Sequence, residues 1–303
     1  MPELPEVETV VRDLNKKVKG LKIVGLWTDW PKYFSARGGS ALGGKLPKGE
    51  SAFKKDVVGR KILSAERRGK NILIHLSDDH LLLIHQKMSG HMLYGKWVRD
   101  KNIGWLPDPA EGPMTDPKNR FIRLIFFLNN GKMLALSDLR RFAKALCGPK
   151  GVIFNTEDLK SIGPEPLAQD FNFAKFKELF KNKKGKIKQV LMDQGFIAGI
   201  GNIYSDEILY TAKIHPLSRV EKLKEPQLKS IYSSMKKILN KAIDVRGTSI
   251  DDFRDTSGKK GKYAEMRMVY QKEGEKCPRG HIIERIKLGG RSAHFCPRCQ
   301  RAY

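Results

Sequence analysis

Phe121-Ile122-Arg123-Leu124-Ile125-Phe126-Phe127-Leu128, then Asn129-Asn130-Gly131, then Met133-Leu134-Ala135-Leu136, is the stretch from which the fold can be read. Two strand-forming runs flank an Asn-Gly pair, which supplies the positive φ of a tight hairpin. Upstream, Leu81-Leu82-Leu83-Ile84-His85 pairs with Asn71-Ile72-Leu73-Ile74-His75-Leu76 across Asp78-Asp79, and Lys61-Ile62-Leu63 and Leu21-Lys22-Ile23-Val24 add short strands. Ahead of them, Val7, Val10, Val11, Leu14 and Val18 recur at helical spacing. One helix followed by several hairpins predicts an α+β chain whose N-terminal domain, residues 1–150, is a β-sandwich with a leading helix. The Pro-, Asp- and Gly-rich stretch 95–119 reads as a surface loop.

The strand pattern breaks at Gly148-Pro149 and Gly163-Pro164-Glu165-Pro166, read as an interdomain linker. Helical spacing follows in Phe173, Phe176, Leu179 and Phe180, in Ile187, Val190 and Leu191, and from Leu223 to Val245. Residues 246–262 are polar and glycine-bearing, as a mobile loop would be. The expected domains are 1–150, 151–262 for the linker, helices and loop, and 263–303 for a cysteine-bearing end.

Composition narrows the function. The 303 residues carry 58 Lys+Arg against 33 Asp+Glu, a net charge of +25. Such a charge points to a polyanionic partner, most simply nucleic acid. The N-terminus is acidic and has no apolar core, so no signal peptide is expected and the location reads as cytoplasmic. No apolar run is long enough for a membrane span. Three of the four cysteines lie beyond residue 276, which argues for a metal site rather than a disulfide framework.

Cys277-Pro-Arg-Gly-His281 and Cys296-Pro-Arg-Cys299 can each place two ligands on one tetrahedral zinc, with Gly289-Gly290 turning a hairpin between them. His294 competes for the fourth place but stands only two residues before Cys296. A closed ligand set of this kind makes the ion structural. The turn Gln194 to Tyr204, which includes Gly195, Gly199 and Gly201, opens a helix and offers backbone N–H groups to a phosphate. Lys183, Lys184, Lys186 and Lys188 flank it.

At the other end stands Met1-Pro2-Glu3-Leu4-Pro5-Glu6-Val7-Glu8. Pro5, Glu6 and Glu8 alone would only start a helix. Removal of Met1, however, would leave Pro2 as a free secondary amine with an ordinary pKa near about 8, against about 10.4 for lysine. A neutral amine beside carboxylic acids can attack carbon and hold it as an iminium.

Taken together, these segments resemble the bacterial formamidopyrimidine-DNA glycosylases, base-excision enzymes with a helix–two-turn–helix element. The likeness runs nearly end to end: Pro2–Glu8, Arg68-Gly69-Lys70, Met88-Ser89-Gly90, Asp138 to Phe142, Gly163 to Leu167, Gly199 to Tyr204, Arg246 to Phe253 and the terminal cysteines. The resemblance implies a monomeric glycosylase and AP lyase acting on damaged double-stranded DNA, with oxidised purines as substrates and one structural zinc. It implies Pro2 as nucleophile, Glu3 as the acid, Glu6 in support and Lys70 near the reacting sugar. It further implies that Met88, Arg140 and Phe142 fill the void left by the flipped base, Arg140 facing the orphaned cytosine. Lys183, Lys188, Asn202, Tyr270 and Arg291 would grip phosphates, Arg291 also assisting the last elimination, and Thr248, Ile250 and Phe253 would read the lesion. The Pro-Glu-Leu-Pro opening and residues 246–253 favour this branch over its endonuclease VIII relatives, which prefer oxidised pyrimidines. Pro2, Glu3 and Lys70 argue against a non-catalytic DNA-binding module. Three features depart from the family pattern: Leu139 in place of proline, His281 in place of a cysteine, and a longer 95–119 stretch.

Overall fold

The computed structural model describes residues 1–34 and 49–303. Its contacts divide the chain into two units, Met1–Lys160 with Val245–Ala264, and Ser161–Asp244 with Glu265–Tyr303. The first unit opens with α1 (Leu4–Lys17), then β1 (Ile23–Thr28) and α2 (Glu50–Val57). Three strands follow, β2 (Ile62–Arg68), β3 (Asn71–Leu76) and β4 (His80–His85). Next come β5 (His91–Gly95), β6 (Trp97–Asp100) and β7 (Gly104–Pro107). The sandwich is completed by β8 (Ile122–Leu128), β9 (Met133–Ser137) and β10 (Lys144–Pro149), and the unit continues into α3 (Lys150–Phe154) and α4 (Glu157–Lys160).

Two antiparallel four-stranded sheets, ordered β1-β8-β9-β5 and β10-β4-β3-β2, form the expected sandwich. Leu124, Phe126, Leu134 and Leu136 from one sheet meet Ile72, Ile74, Leu82 and Ile84 from the other, and Val7, Val10, Val11 and Leu14 of α1 join the same core. On β8 the intervening Ile125 and Phe127 face a second apolar cluster with Leu93, Trp97 and Trp105. Strands covered on both faces read as continuous apolar runs, which is why β3 and β8 lack clean alternation.

The stretch 95–119 is therefore more than a surface loop. It holds the β6–β7 hairpin, whose Trp97 is buried against the outer face of a sheet. Two 3-10 turns follow, Gly112–Thr115 and Pro117–Arg120. Residues 245–264 also differ from expectation, since they pack with the sandwich unit rather than with the helices. The reason is physical: Phe253 enters the sandwich core, and the Arg246 guanidinium bonds Asp13 on α1 at 2.5 Å.

The second unit contains α5 (Phe173–Leu179), α6 (Ile187–Met192), α7 (Asn202–Ala212) and α8 (Glu225–Asp244), then a hairpin of β11 (Glu284–Leu288) and β12 (Arg291–Phe295). The Gly163-Pro164 stretch, read as linker, is packed against the turn between α6 and α7. The Gly163 N–H donates to the Gln194 carbonyl at 2.8 Å, and a Cβ at Gly163 would lie 2.6 Å from the Gly195 carbonyl. Among the described residues no helix is long and apolar enough to cross a membrane.

Candidate functional site

Pro2, Glu3 and Glu6 are all buried at the start of α1, the two carboxylates exposing only 2% and 1% of their surface. Glu6 Oε2 accepts the Glu3 N–H at 2.8 Å, one arm of a capping box. Its other oxygen, Oε1, accepts the Thr248 N–H at 2.7 Å. One carboxylate thus ties the N-terminal turn to the segment expected to read the lesion. The neighbouring Gly247 has φ +79°, and a Cβ there would come within 2.7 Å of Glu6 Oε1, so the close approach requires glycine. With Met1 in place the Pro2 nitrogen is an amide, and removal of Met1 would convert it into an amine at this position.

Lys70 lies buried in the two-residue turn between β2 and β3, beside Gly69 with φ +58°. The adjoining Arg67 bonds Glu8 of α1 at 3.1 Å, which fastens this turn to the helix that carries Glu3 and Glu6. His85 stands on β4 opposite Asn71. Burial, together with the charges of Lys87, Lys70 and Lys144, pushes its pKa down to about 3. Its imidazole is therefore neutral, and Nδ1 accepts the Lys87 N–H at 2.9 Å. So many cations around one histidine suit a polyanionic ligand.

The expected void-filling residues sit on two turns joined through Asp138, a carboxylate that is fully buried. Asp138 Oδ1 accepts from Ser89 Oγ at 2.6 Å, and Ser89 Oγ in turn accepts the Arg140 N–H at 2.9 Å. Asp138 Oδ2 accepts the Ala143 N–H at 2.8 Å and the Tyr33 hydroxyl at 3.1 Å. This network places the Met88 turn beside the Arg140 turn and leaves the tip exposed. There the Arg140 guanidinium lies 4.6 Å from the centre of the half-exposed Phe142 ring. A cation stacked on an aromatic at an exposed tip has the shape of a wedge for a base stack. Leu139, which replaces proline, is exposed and leaves this network intact.

Residues 246–262 are held in place rather than mobile. Thr248 bridges to Lys262, Ser249 Oγ donates to the Phe253 carbonyl at 2.6 Å, and Arg246 Nε bonds Asp255 at 2.8 Å. Thr248 is buried and Ile250 is partly exposed. The Phe253 side chain points into the sandwich core, so only its backbone could face a ligand. Asp252 is neutralised by Lys118 at 2.8 Å, which weakens any repulsion from the adjacent exposed Asp251.

In the second unit Cys277, His281, Cys296 and Cys299 bring their ligand atoms within 4.8 Å of one another. The separations are 3.9 Å for Cys277 Sγ to Cys299 Sγ and 3.3 Å for His281 Nδ1 to Cys299 Sγ. A tetrahedral zinc with sulfur at about 2.3 Å requires sulfurs about 3.8 Å apart, so the donor set fits the ion. Burial raises the Cys277 pKa, but the N–H groups of Arg279 and His281 directed at its sulfur outweigh that and bring it to about 6. Cys299 moves the opposite way, to about 11, through burial and the neighbouring Cys296 and Cys277 sulfurs, so the thiols titrate as one interacting set. His294 lies outside the cluster, since its Nδ1 and N–H bond Asp206 Oδ2 at 3.2 and 2.9 Å. Arg291 is exposed at the hairpin tip, beyond Gly289-Gly290.

Lys188 departs from expectation. It is 1% exposed, and its Nζ bonds Asp206 Oδ1 at 2.6 Å and the Ser292 carbonyl at 2.7 Å. The next residue, Glu207, accepts the N–H groups of Met268, Val269 and Tyr270 at 2.8–3.0 Å. These adjacent acids of α7 fasten the metal hairpin and the Tyr270 turn, and sequence reading missed both. The local sequence gives little signal for them, because α7 also carries the polar residues Asn202, Ser205 and Thr211. Asp206→Ala should cost about 3–5 kcal/mol, because it removes the carboxylate that faces the buried Lys188 ammonium, and a urea melt would measure the loss. Asn202 Nδ2 reaches the Tyr270 hydroxyl at 3.5 Å, and Lys183 pairs with Asp193 at 3.1 Å. Both residues remain accessible at the glycine-bearing turn.

The sequence matches the formamidopyrimidine-DNA glycosylase N-terminal domain over residues 1–145, the H2TH domain of the same enzymes over 162–254, and a zinc finger found in FPG and IleRS over 274–302. The formamidopyrimidine-DNA glycosylases of Pelotomaculum thermopropionicum and Heliobacterium modesticaldum are each 37% identical to it over 302 residues, with 99% of this chain covered and 99% and 100% of theirs. Among solved structures, Lactococcus lactis Fpg in complex with DNA containing an abasic site aligns at 33% identity and TM-score 0.80, covering 99% of each chain. A complex of that protein with DNA containing Fapy-dG aligns at 33% identity and TM-score 0.80, covering 99% of this chain and 100% of that one.

Proposed function

Because this chain belongs to the formamidopyrimidine-DNA glycosylase family, a family of DNA glycosylases that are also AP lyases, we propose that it removes oxidised purines from duplex DNA through a Schiff base on Pro2. The observation that carries this reading is the Glu6 carboxylate, bonded at once to the Glu3 N–H and the Thr248 N–H. It joins the candidate nucleophile to the candidate reading segment in one rigid arrangement.

With Met1 removed, the Pro2 amine attacks C1′ of a flipped nucleotide while Glu3 supplies a proton to the opening sugar, and the base leaves. The resulting iminium acidifies the C2′ proton. Its loss expels the 3′ phosphate, and a second elimination expels the 5′ phosphate, leaving a one-nucleotide gap. Lys70 stands near the sugar and its phosphate, Arg140 bonds the orphaned cytosine, and Met88 and Phe142 fill the gap in the stack. Thr248, Ile250 and Phe253 read the base through backbone groups. Lys183, Asn202, Tyr270 and Arg291 hold phosphates, and Lys188 instead supports the hairpin that carries Arg291. Cys277, His281, Cys296 and Cys299 hold one zinc, which folds the hairpin and takes no part in the reaction.

Cleavage of duplexes bearing 8-oxoguanine, formamidopyrimidine or thymine glycol tests this assignment. We expect activity on the first two, with excision of 8-oxoguanine much poorer opposite adenine than opposite cytosine. Strong cleavage of thymine glycol with none of 8-oxoguanine would place the chain in the endonuclease VIII branch.

A further inference from the structure

The turns at Gly112–Thr115 and Pro117–Arg120 are bonded along the length of the segment that faces Glu6. Arg254 is buried, and its Nε and Nη2 bond Asp116 Oδ2 and Oδ1 at 2.8 and 3.2 Å, a bidentate pair. Its remaining nitrogen, Nη1, donates to the Phe253 and Asp251 carbonyls at 2.8 and 3.3 Å, so the guanidinium also clasps its own backbone. Lys118 Nζ bonds Asp252 at 2.8 Å. Asn119 Nδ2 donates to the carbonyls of Pro113 and Gly258 at 2.9 and 3.3 Å, and a Cβ at Gly258 would stand 2.6 Å from that nitrogen. Asp116, Lys118 and Asn119 of one segment thus meet Arg254, Asp252 and Gly258 of the other.

These turns do not float. The β6–β7 hairpin just before them is anchored by Trp97 in the outer cluster and by Trp105, whose ring stands edge-on to Trp27 at 5.3 Å. The sandwich therefore supplies a fixed base, and residues 112–120 carry that rigidity to residues 251–258. The contacts are not equal in weight. Lys118 and Asp252 are partly exposed, and a pair of that kind contributes little. Arg254 is buried, and losing Asp116 would leave its charge uncompensated, which is costly.

We propose that residues 112–120 are a latch that holds the reading segment in its working position, with Asp116 as a positioning residue for lesion discrimination. The proposal rests on the assignment of residues 246–262 to base reading given above. A latched segment presents its amides preorganised to the base, whereas an abasic site offers no base to read. Weakening the latch should therefore separate the two substrates.

The test uses the full zinc-loaded chain as wild type, Asp116→Asn, Asp116→Glu and Lys118→Ala. Hydrogen exchange is followed by mass spectrometry, and single-turnover cleavage is measured on 8-oxoguanine and on abasic duplexes. In Asp116→Asn, peptides spanning 248–258 should exchange roughly tenfold faster while the sandwich strands keep their protection. Excision of 8-oxoguanine should fall by about tenfold, and abasic cleavage should hold at the wild-type rate. Asp116→Glu should recover most of the loss, and Lys118→Ala should change little. Unchanged exchange in 248–258 overturns the latch. Equal loss on both substrates, or faster exchange with an unchanged substrate ratio, overturns its role in discrimination. A wild-type chain that leaves 8-oxoguanine intact sinks the base-reading assignment, while the exchange result still decides the latch.

Discussion

A chain that keeps Met1, or that carries one extra residue ahead of Pro2, should lose base excision and strand cleavage by at least about 10³-fold, the scale expected when a covalent nucleophile is removed. The cause is electronic. An amide nitrogen gives its lone pair to the carbonyl and cannot attack C1′, whereas the terminal amine can. The effect should be confined to chemistry, because Leu4, Val7, Val10 and Leu14 keep α1 in the sandwich core whatever precedes Pro2. DNA affinity and melting temperature should therefore match those of the processed chain. Parallel binding titrations and single-turnover rates would check this. A comparable fall in affinity would mean that the extra residue disturbs the surface rather than the nucleophile.

Removal of the metal should have the second largest effect. The apolar cluster next to the candidate metal site contains Tyr210, Val269, Cys277, Ile283 and Cys296, and two of these five are themselves candidate ligands. Two sulfurs of that cluster therefore lose their common partner when the ion leaves, and zinc binding, worth roughly 10–16 kcal/mol in small metal-folded domains, adds to the hairpin's folding energy. Chelation, or His281→Ala, should release the ion and lower DNA affinity by about tenfold or more, because Arg291 loses its fixed position. Metal analysis should find one zinc in the wild type. Cys147→Ala should keep it, since that thiol lies buried in β10 with its sulfur 3.4 Å from the Asp56 carbonyl. His294→Ala should also keep it, at a cost in stability through Asp206. Full zinc occupancy in His281→Ala would refute the ligand set.

The sandwich was legible because its turns carry explicit chemistry: Asn130-Gly131 and Asp78-Asp79 close hairpins whose flanking runs are apolar. The candidate zinc ligands were legible from spacing, and it is the fold that sets His281 rather than His294 beside the three cysteines. Two classes of feature lay beyond sequence reading. The first is long-range pairing of polar residues: Asp138 with Ser89, Asp206 with Lys188 and His294, and Arg254 with Asp116 are far apart in the chain, and nothing local marks them as partners. The second is the cover on residues 246–262. Glycines and charges there suggested mobility, yet Phe253 is a core residue and Asp255 accepts the N–H groups of Ser257 and Lys259 at 2.8 and 3.0 Å. Deleting residues 248–262 would thus open the sandwich core, so the reading role is better tested by point changes at Asp116 or Ile250.

The central claim, a nucleophilic Pro2, is tested most directly by trapping the intermediate. The processed chain is treated with borohydride in the presence of a duplex carrying 8-oxoguanine, digested, and the cross-linked peptide is sequenced by mass spectrometry. The expected adduct is on the first peptide, with the reduced sugar on the Pro2 nitrogen. An adduct on Lys70 or any other internal lysine, with Pro2 unmodified, would contradict the assignment.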